Sequence, residues 1–137
     1  TSDSRKDWFA VGDYKKLPNE VGGMETALSE EVTDRMKKLL SEYNNKEEKT
    51  FDDILDFHVK FERIHPFQDG NGRVGRLIMF KECLKHHIVP FIIEDNLKMF
   101  YYRGLKEWGN EKGYLTDTCL TAQDKYKAYL DYFRIGY

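Results

Sequence analysis

Ile64-His65-Pro66-Phe67-Gln68-Asp69-Gly70-Asn71-Gly72-Arg73-Val74-Gly75-Arg76 brings an imidazole, a carboxylate, three glycines and two guanidinium groups together in thirteen positions. Upstream, apolar residues recur at 51, 54, 55, 58 and 61, the spacing of one helical face, so Phe51 to Ile64 reads as a helix. Pro66 lacks an amide proton and disfavours the α region at His65, so that helix is expected to stop at about His65 and present the imidazole at the edge of a loop. Beyond the loop, Val74, Leu77, Ile78, Lys81 and Leu84 resume helical spacing, with Gly70 or Asn71 suited to cap the new helix.

A helix N-terminus carries unpaired amides and a partial positive charge, and glycines let those amides approach a ligand. Gly70, Asn71 and Gly72 therefore read as an anion cradle, which Arg73 and Arg76, three residues apart on one helical surface, would reinforce. Two cations in a first turn oppose the macrodipole, which makes sense if a polyphosphate sits between them. Asp69 stands beside this site, and one carboxylate together with phosphate oxygens and waters is the usual way Mg²⁺ is held. The alternating acids and final Glu of an EF-hand loop are missing. Taken singly, His65 would be an ordinary surface histidine, Asp69-Gly70-Asn71-Gly72 a turn and the arginines a solvated face; order and spacing together set them apart.

The run His65 to Arg76 resembles the signature of the Fic-domain family, H-P-F-x-D/E-G-N-G-R-x-x-R, at every specified position. The resemblance implies a protein adenylyltransferase that moves AMP from ATP, with Mg²⁺, to a hydroxyl of a target protein and releases pyrophosphate. It implies that His65 is the general base, that Asp69 holds the metal and that Phe67 anchors the loop. It further implies that Gly70, Asn71 and Gly72 bind phosphate oxygens while Arg73 and Arg76 hold the β- and γ-phosphates. A base with a pKa near neutrality and a site built for charge neutralisation suit such a transfer. The related Doc kinases carry lysine where this chain has Gly72, which favours nucleotidyl transfer here. Family members also lay a hairpin flap over the site and align the target along it; Val21-Gly22-Gly23-Met24 resemble its nucleotide-side portion. Tyr101-Tyr102 resemble the pair whose tyrosine borders the adenine, with Tyr101 the residue assigned.

The chain has 137 residues, enough for one domain with a proper core, spanning 1–137. A formal net charge of −2 gives no electrostatic case for nucleic acid or a membrane surface, and no long apolar span appears. Cys83 and Cys119 fit reduced thiols, hence a cytoplasmic setting. The first residue is Thr, so the chain reads as a fragment of a longer one.

Residues 11–24 combine short extended runs with a Pro18-Asn19 turn, as a small β-hairpin would, and an exposed edge there would accept a guest strand from a target. Glu30 to Asn44 has a helical stripe, and Thr50 with Asp53 forms a capping-box pattern before the His65 helix. His58, on an apolar face, reads as a satisfied core histidine; His86 and His87 end the next helix, with no zinc-type spacing around them. Ile88 to Ile93 is an apolar connector expected to be buried. Asn96 is placed to cap a helix that Gly109 and Gly113 end, and Thr116 to Phe133 supplies a closing helix.

The inhibitory helix pattern S/T-x-x-x-E-G/N finds no full match. Thr26 and Glu30 have the spacing, but Glu31 follows and helix-start chemistry explains both acids. Inhibition is therefore expected from a segment or an antitoxin-like protein outside this chain. The expectation is an all-α Fic fold with a small flap, acting on a Ser, Thr or Tyr hydroxyl. The alternatives are transfer of UMP or phosphocholine, removal of AMP, or a nucleotide-binding regulatory module without turnover.

Overall fold

The computed structural model describes residues 12–21 and 24–137. Among them are five α-helices: α1 (Val32–Asn44), α2 (Phe51–Ile64), α3 (Asn71–Lys85), α4 (Lys98–Glu107) and α5 (Gly113–Tyr132). Single 3-10 turns, Ser29–Glu31 and Asp95–Leu97, lead into α1 and α4. Two short strands, β1 (Glu20–Val21) and β2 (Met24–Glu25), pair antiparallel, Glu20 opposite Glu25 and Val21 opposite Met24. The all-α architecture with one small hairpin is the one the sequence leads to.

The hairpin is shorter than 11–24 and turns elsewhere. Its ladder makes the chain reverse between residues 21 and 24, after Pro18-Asn19 rather than at it. Asn19 is committed to the motif loop, donating its side-chain amide to the carbonyls of His65 (3.3 Å) and Phe67 (2.8 Å). Residues 11, 22 and 23 lie outside the described residues.

Helix α2 is the central element. It starts at a reciprocal cap, Thr50 Oγ1 accepting the Asp53 N–H (3.1 Å) while the Asp53 carboxylate accepts the Thr50 N–H (2.9 Å). Burial is not confined to the single face that the spacing at 51, 54, 55, 58 and 61 predicts. Ile54, Leu55 and Val59 enter one core with Leu105 and Leu115, while Phe57, Phe61 and Ile64 enter a second with Val32 and Met36. A helix covered on both sides belongs at the centre of a bundle. Each fully buried aliphatic side chain there contributes about 1.5–3 kcal/mol by leaving water.

Helix α3 corrects its expected face. Asn71, Gly75, Met79, Glu82 and Cys83 point inward, whereas Val74, Leu77 and Leu84 are exposed, Leu77 at 69%. The inward polar groups are compensated: Glu82 accepts the Tyr43 hydroxyl proton at 2.8 Å and pairs with Lys81, and Asn71 is bonded at both ends of its amide.

Helices α4 and α5 meet backbone to backbone at Gly104, where a Cβ would lie 2.6 Å from the Leu115 Cα. Asn96 falls inside a 3-10 turn rather than capping α4, and Gly113 opens α5 instead of ending α4, its N–H donating to the Glu111 carboxylate at 2.9 Å. The connector is buried at Phe91 and Ile93 but leaves Ile92 exposed. Among the described residues no helix is long and apolar enough to cross a membrane.

Candidate functional site

The loop from His65 to Gly70 joins the end of α2 to the start of α3. His65 closes α2, its N–H donating to the Phe61 carbonyl at 2.9 Å, and takes a left-handed conformation (φ 51°, ψ 60°). That conformation is costly for a side-chain-bearing residue and persists only where the surroundings hold it. Here several groups do so. The Lys15 N–H donates to the Pro66 carbonyl at 2.7 Å, and the Lys15 ammonium reaches the Ile64 carbonyl at 3.3 Å. Gln68 Oε1 accepts from the amides of Lys16 and Leu17, each at 3.2 Å. Lys15 is 3% exposed, and its charge at the end of α2 complements the helix dipole. Burial, reinforced by Arg35, lowers its pKa. Neither Lys15 nor Asn19 was recognisable from sequence, since their partners lie more than forty residues away.

Gly70 caps the start of α3 with φ 79°, a conformation glycine adopts without penalty. The first backbone donation inside α3 is Val74 N–H to the Gly70 carbonyl (3.0 Å), so the amides of Asn71, Gly72 and Arg73 precede the helical ladder. Both arginines fold back over this end. A Cβ at Gly70 would lie 3.3 Å from Arg73 Nη2, and one at Gly72 only 2.8 Å from Arg76 Nη1. These glycines therefore clear the space the guanidinium groups occupy, and an anion at the helix start would meet both charges and the free amides. Asp69 is exposed at the same end, with Oδ1 accepting the Gly70 N–H at 2.8 Å.

The side chain of Asn71 serves the loop rather than the cradle. It is buried, with Oδ1 accepting the Phe67 N–H and Nδ2 donating to the Phe67 carbonyl, both at 2.7 Å. Only its backbone amide remains for a ligand. Phe67 itself does anchor the loop, its ring 5.9 Å from Tyr14 and 6.5 Å from Phe61.

His65 is less open than a loop position implies, its side chain being 14% exposed and Nδ1 buried without a hydrogen-bond partner among the described residues. Burial, with help from Lys15, lowers its pKa, and the Glu62 backbone carbonyl partly offsets this. Two turns earlier, His58 is a core histidine: Nδ1 faces the Gly75 carbonyl at 3.2 Å and Nε2 the Tyr101 hydroxyl at 2.5 Å. Tyr101 is thus seated in the core at 1% exposure, not beside an adenine pocket; its neighbour Tyr102, 38% exposed, is the one open to solvent. Tyr101 instead lies under Arg76, whose guanidinium carbon is 6.0 Å from its ring centre. In the hairpin, Val21 is buried and Met24 packs on the larger core, so ligand contacts by this pair would run through main chain. Gly22 and Gly23 lie outside the described residues.

Residues 2–83, more than half of the chain, match the model of the Fic/DOC family. The chain belongs to the Fic/DOC family. A probable protein adenylyltransferase of Aquifex aeolicus (strain VF5) is 54% identical over 63 residues, covering 44% of this chain and 19% of that protein. The protein adenylyltransferase Fic of Drosophila virilis is 43% identical over 49 residues, 36% of this chain and 10% of that protein. The matches thus span a fifth or less of these relatives' length. A Fic-domain-containing signalling protein from Bacteroides thetaiotaomicron VPI-5482 superposes with a TM-score of 0.68 at 28% identity, over 93% of this chain and 52% of that one. A Fic family protein from Desulfovibrio desulfuricans G20 shares the fold at the same TM-score and 22% identity, over 98% of this chain and 45% of its own.

Proposed function

We propose that this Fic domain transfers AMP from ATP to a Ser, Thr or Tyr hydroxyl of a target protein, releasing pyrophosphate. The observation that carries the reading is the pair of guanidinium groups folded over Gly70 and Gly72 at a helix start, one short loop after His65. Arg73, Arg76 and the free amides of α3 bind the β- and γ-phosphates and hold the charge that grows on the departing pyrophosphate. His65, whose lowered pKa keeps it neutral at physiological pH, accepts the hydroxyl proton. Asp69 suits Mg²⁺, because one oxygen is held by the Gly70 amide while the carboxylate stays exposed, as a single-carboxylate site shared with phosphates requires. Bound there with the triphosphate, Mg²⁺ supplies charge neutralisation of the phosphate oxygens.

Gly72 favours this chemistry over phosphorylation, since a longer side chain at 72 would displace the Arg76 guanidinium. Tyr102 is the aromatic face offered to the base, and the target is aligned along the hairpin by main-chain pairing. Two buried free thiols, Cys83 and Cys119, suit a cytoplasmic setting. Relatives named adenylyltransferases support AMP as the group moved. Incubation with Mg²⁺, cell lysate and ATP labelled at the α- or the γ-phosphate tests the proposal. Relative to lysate without the domain, added protein labelling from α-labelled ATP alone is expected. Added labelling from γ-labelled ATP would mean phosphorylation by the domain, and ATP binding without added labelling a regulatory module.

A further inference from the structure

Glu62 is a buried carboxyl one turn before His65. It is 1% exposed on α2, and Oε1 has no hydrogen-bond partner among the described residues, an arrangement that costs free energy unless something offsets it. The carboxyl is pressed against α3 at Gly75, where a Cβ would lie 2.3 Å from Oε1. Its other oxygen lies 3.9 Å from His65 Nδ1, which is buried, is influenced by the Glu62 backbone carbonyl and has no hydrogen-bond partner within range among the described residues. We propose that Glu62 is a positioning residue whose carboxylate is the counter-charge of His65, keeping the imidazole proton on Nδ1 and leaving Nε2 to receive the proton of the incoming hydroxyl. The inference rests on the reading of His65 as the base.

The charges around the pair come from every neighbouring element. On α2, His58 lies against the same Gly75; from α3, Arg76 attracts the carboxylate; from α4, Tyr101, hydrogen-bonded to His58, feels the Glu62 charge; and Lys15 disfavours charge on His65. Transfer puts a positive charge on a half-buried ring. The hydroxyl oxygen bonds to the α-phosphorus, its proton passes to Nε2, and the bond to the β-phosphate oxygen breaks as pyrophosphate leaves with the electron pair. The resulting imidazolium needs an anion within a few ångströms, and Glu62 is that anion. Burial raises the Glu62 pKa to about 7 against the pull of Arg76, so the supporting carboxylate forms as pH rises through neutrality.

Glu62→Gln keeps shape and backbone carbonyl and removes only the charge. It is expected to lower kcat about tenfold to a hundredfold, as loss of a group orienting a reactive histidine does, while the KM for ATP stays within about twofold. The rise of kcat with pH through about 7 is expected to disappear in this variant. Nitrogen-15 shifts of His65 at about pH 8 should report Nδ1–H in the parent and a mixture of tautomers in the variant. Glu62→Asp, which keeps the charge, should recover part of the lost kcat and covers the case in which the Gln protein does not fold. An unchanged tautomer and pH profile in Glu62→Gln, whatever happens to kcat, would overturn the proposal and leave Glu62 as packing. His65→Ala separates the two failures: if it still transfers AMP, the base reading is wrong; if it is inactive while Glu62→Gln matches the parent, only the role of Glu62 is.

Discussion

Asn71 grips Phe67 from both sides, accepting its N–H and donating to its carbonyl at 2.7 Å each. The first residue of α3 thereby fixes the loop that carries His65 relative to the amides and guanidinium groups at the helix start. The one motif asparagine is a structural clamp within the site.

Asn71→Ala should therefore strip the Phe67 N–H of its partner, while the Phe67 carbonyl keeps the bond from Asn19, and cost about 1–3 kcal/mol, the range for one group left unsatisfied. Urea denaturation measures this. Transfer should fall further than stability explains, because the loop is released.

Gly72→Ala forces the Arg76 guanidinium from a position 2.8 Å away, without crowding any core residue. The expected result is weaker ATP binding by about 1.5–3 kcal/mol, the range for a lost charged hydrogen bond, with little change in Tm. Isothermal titration reads the first and a thermal melt the second. Gly109→Ala, at a site with open space around it, is the control and should shift stability by less than about 0.5 kcal/mol.

Gly104→Ala should be severe, because the atom its methyl group meets at 2.6 Å belongs to the Leu115 backbone and cannot rotate away. Separating α4 from α5 is expected to cost about 1–3 kcal/mol, as overpacking does, read from the denaturation midpoint.

The pH dependence of stability has two opposing parts. Burial lowers the His58 pKa from 6.5 to about 4, so between those values the unfolded chain binds more protons and stability rises with pH. Burial raises Glu62 from 4.5 to about 7, so the folded protein binds more protons there and stability falls as pH rises. The two nearly cancel between pH 4.5 and 6.5. Glu62→Gln removes the second part, so its stability relative to the parent should climb by about 3 kcal/mol from pH 4.5 to 7, following 1.36 kcal/mol per pKa unit. Chemical denaturation of both proteins across that window checks this, and a constant difference would contradict it.

What could be read from the sequence was local. Thr50 with Asp53 and Pro66 after His65 set the bounds of α2 through contacts within a few residues, and the motif order located the loop and the second helix. The buried face of α3 was not legible, because Leu77 and Leu84 look like core while Asn71 and Glu82 look like surface. Only the partners Phe67, Tyr43 and Lys81 make the inward polar groups affordable. Tyr101 was misplaced for the same reason: a tyrosine suits an adenine pocket or a core equally, and His58, forty-three residues earlier, decided it. Gly113 could end one helix or begin the next, and the contact of Leu115 with Gly104 selects the second.

The most direct test is a paired measurement on His65→Ala: ATP affinity by calorimetry, and label transfer from α-labelled ATP in the presence of Mg²⁺ and lysate. Affinity within a few-fold of the parent and transfer reduced by about a hundredfold or more are expected, since general-base help is worth about 10²–10⁴. Transfer that survives with affinity intact would contradict the reading of His65 as the base.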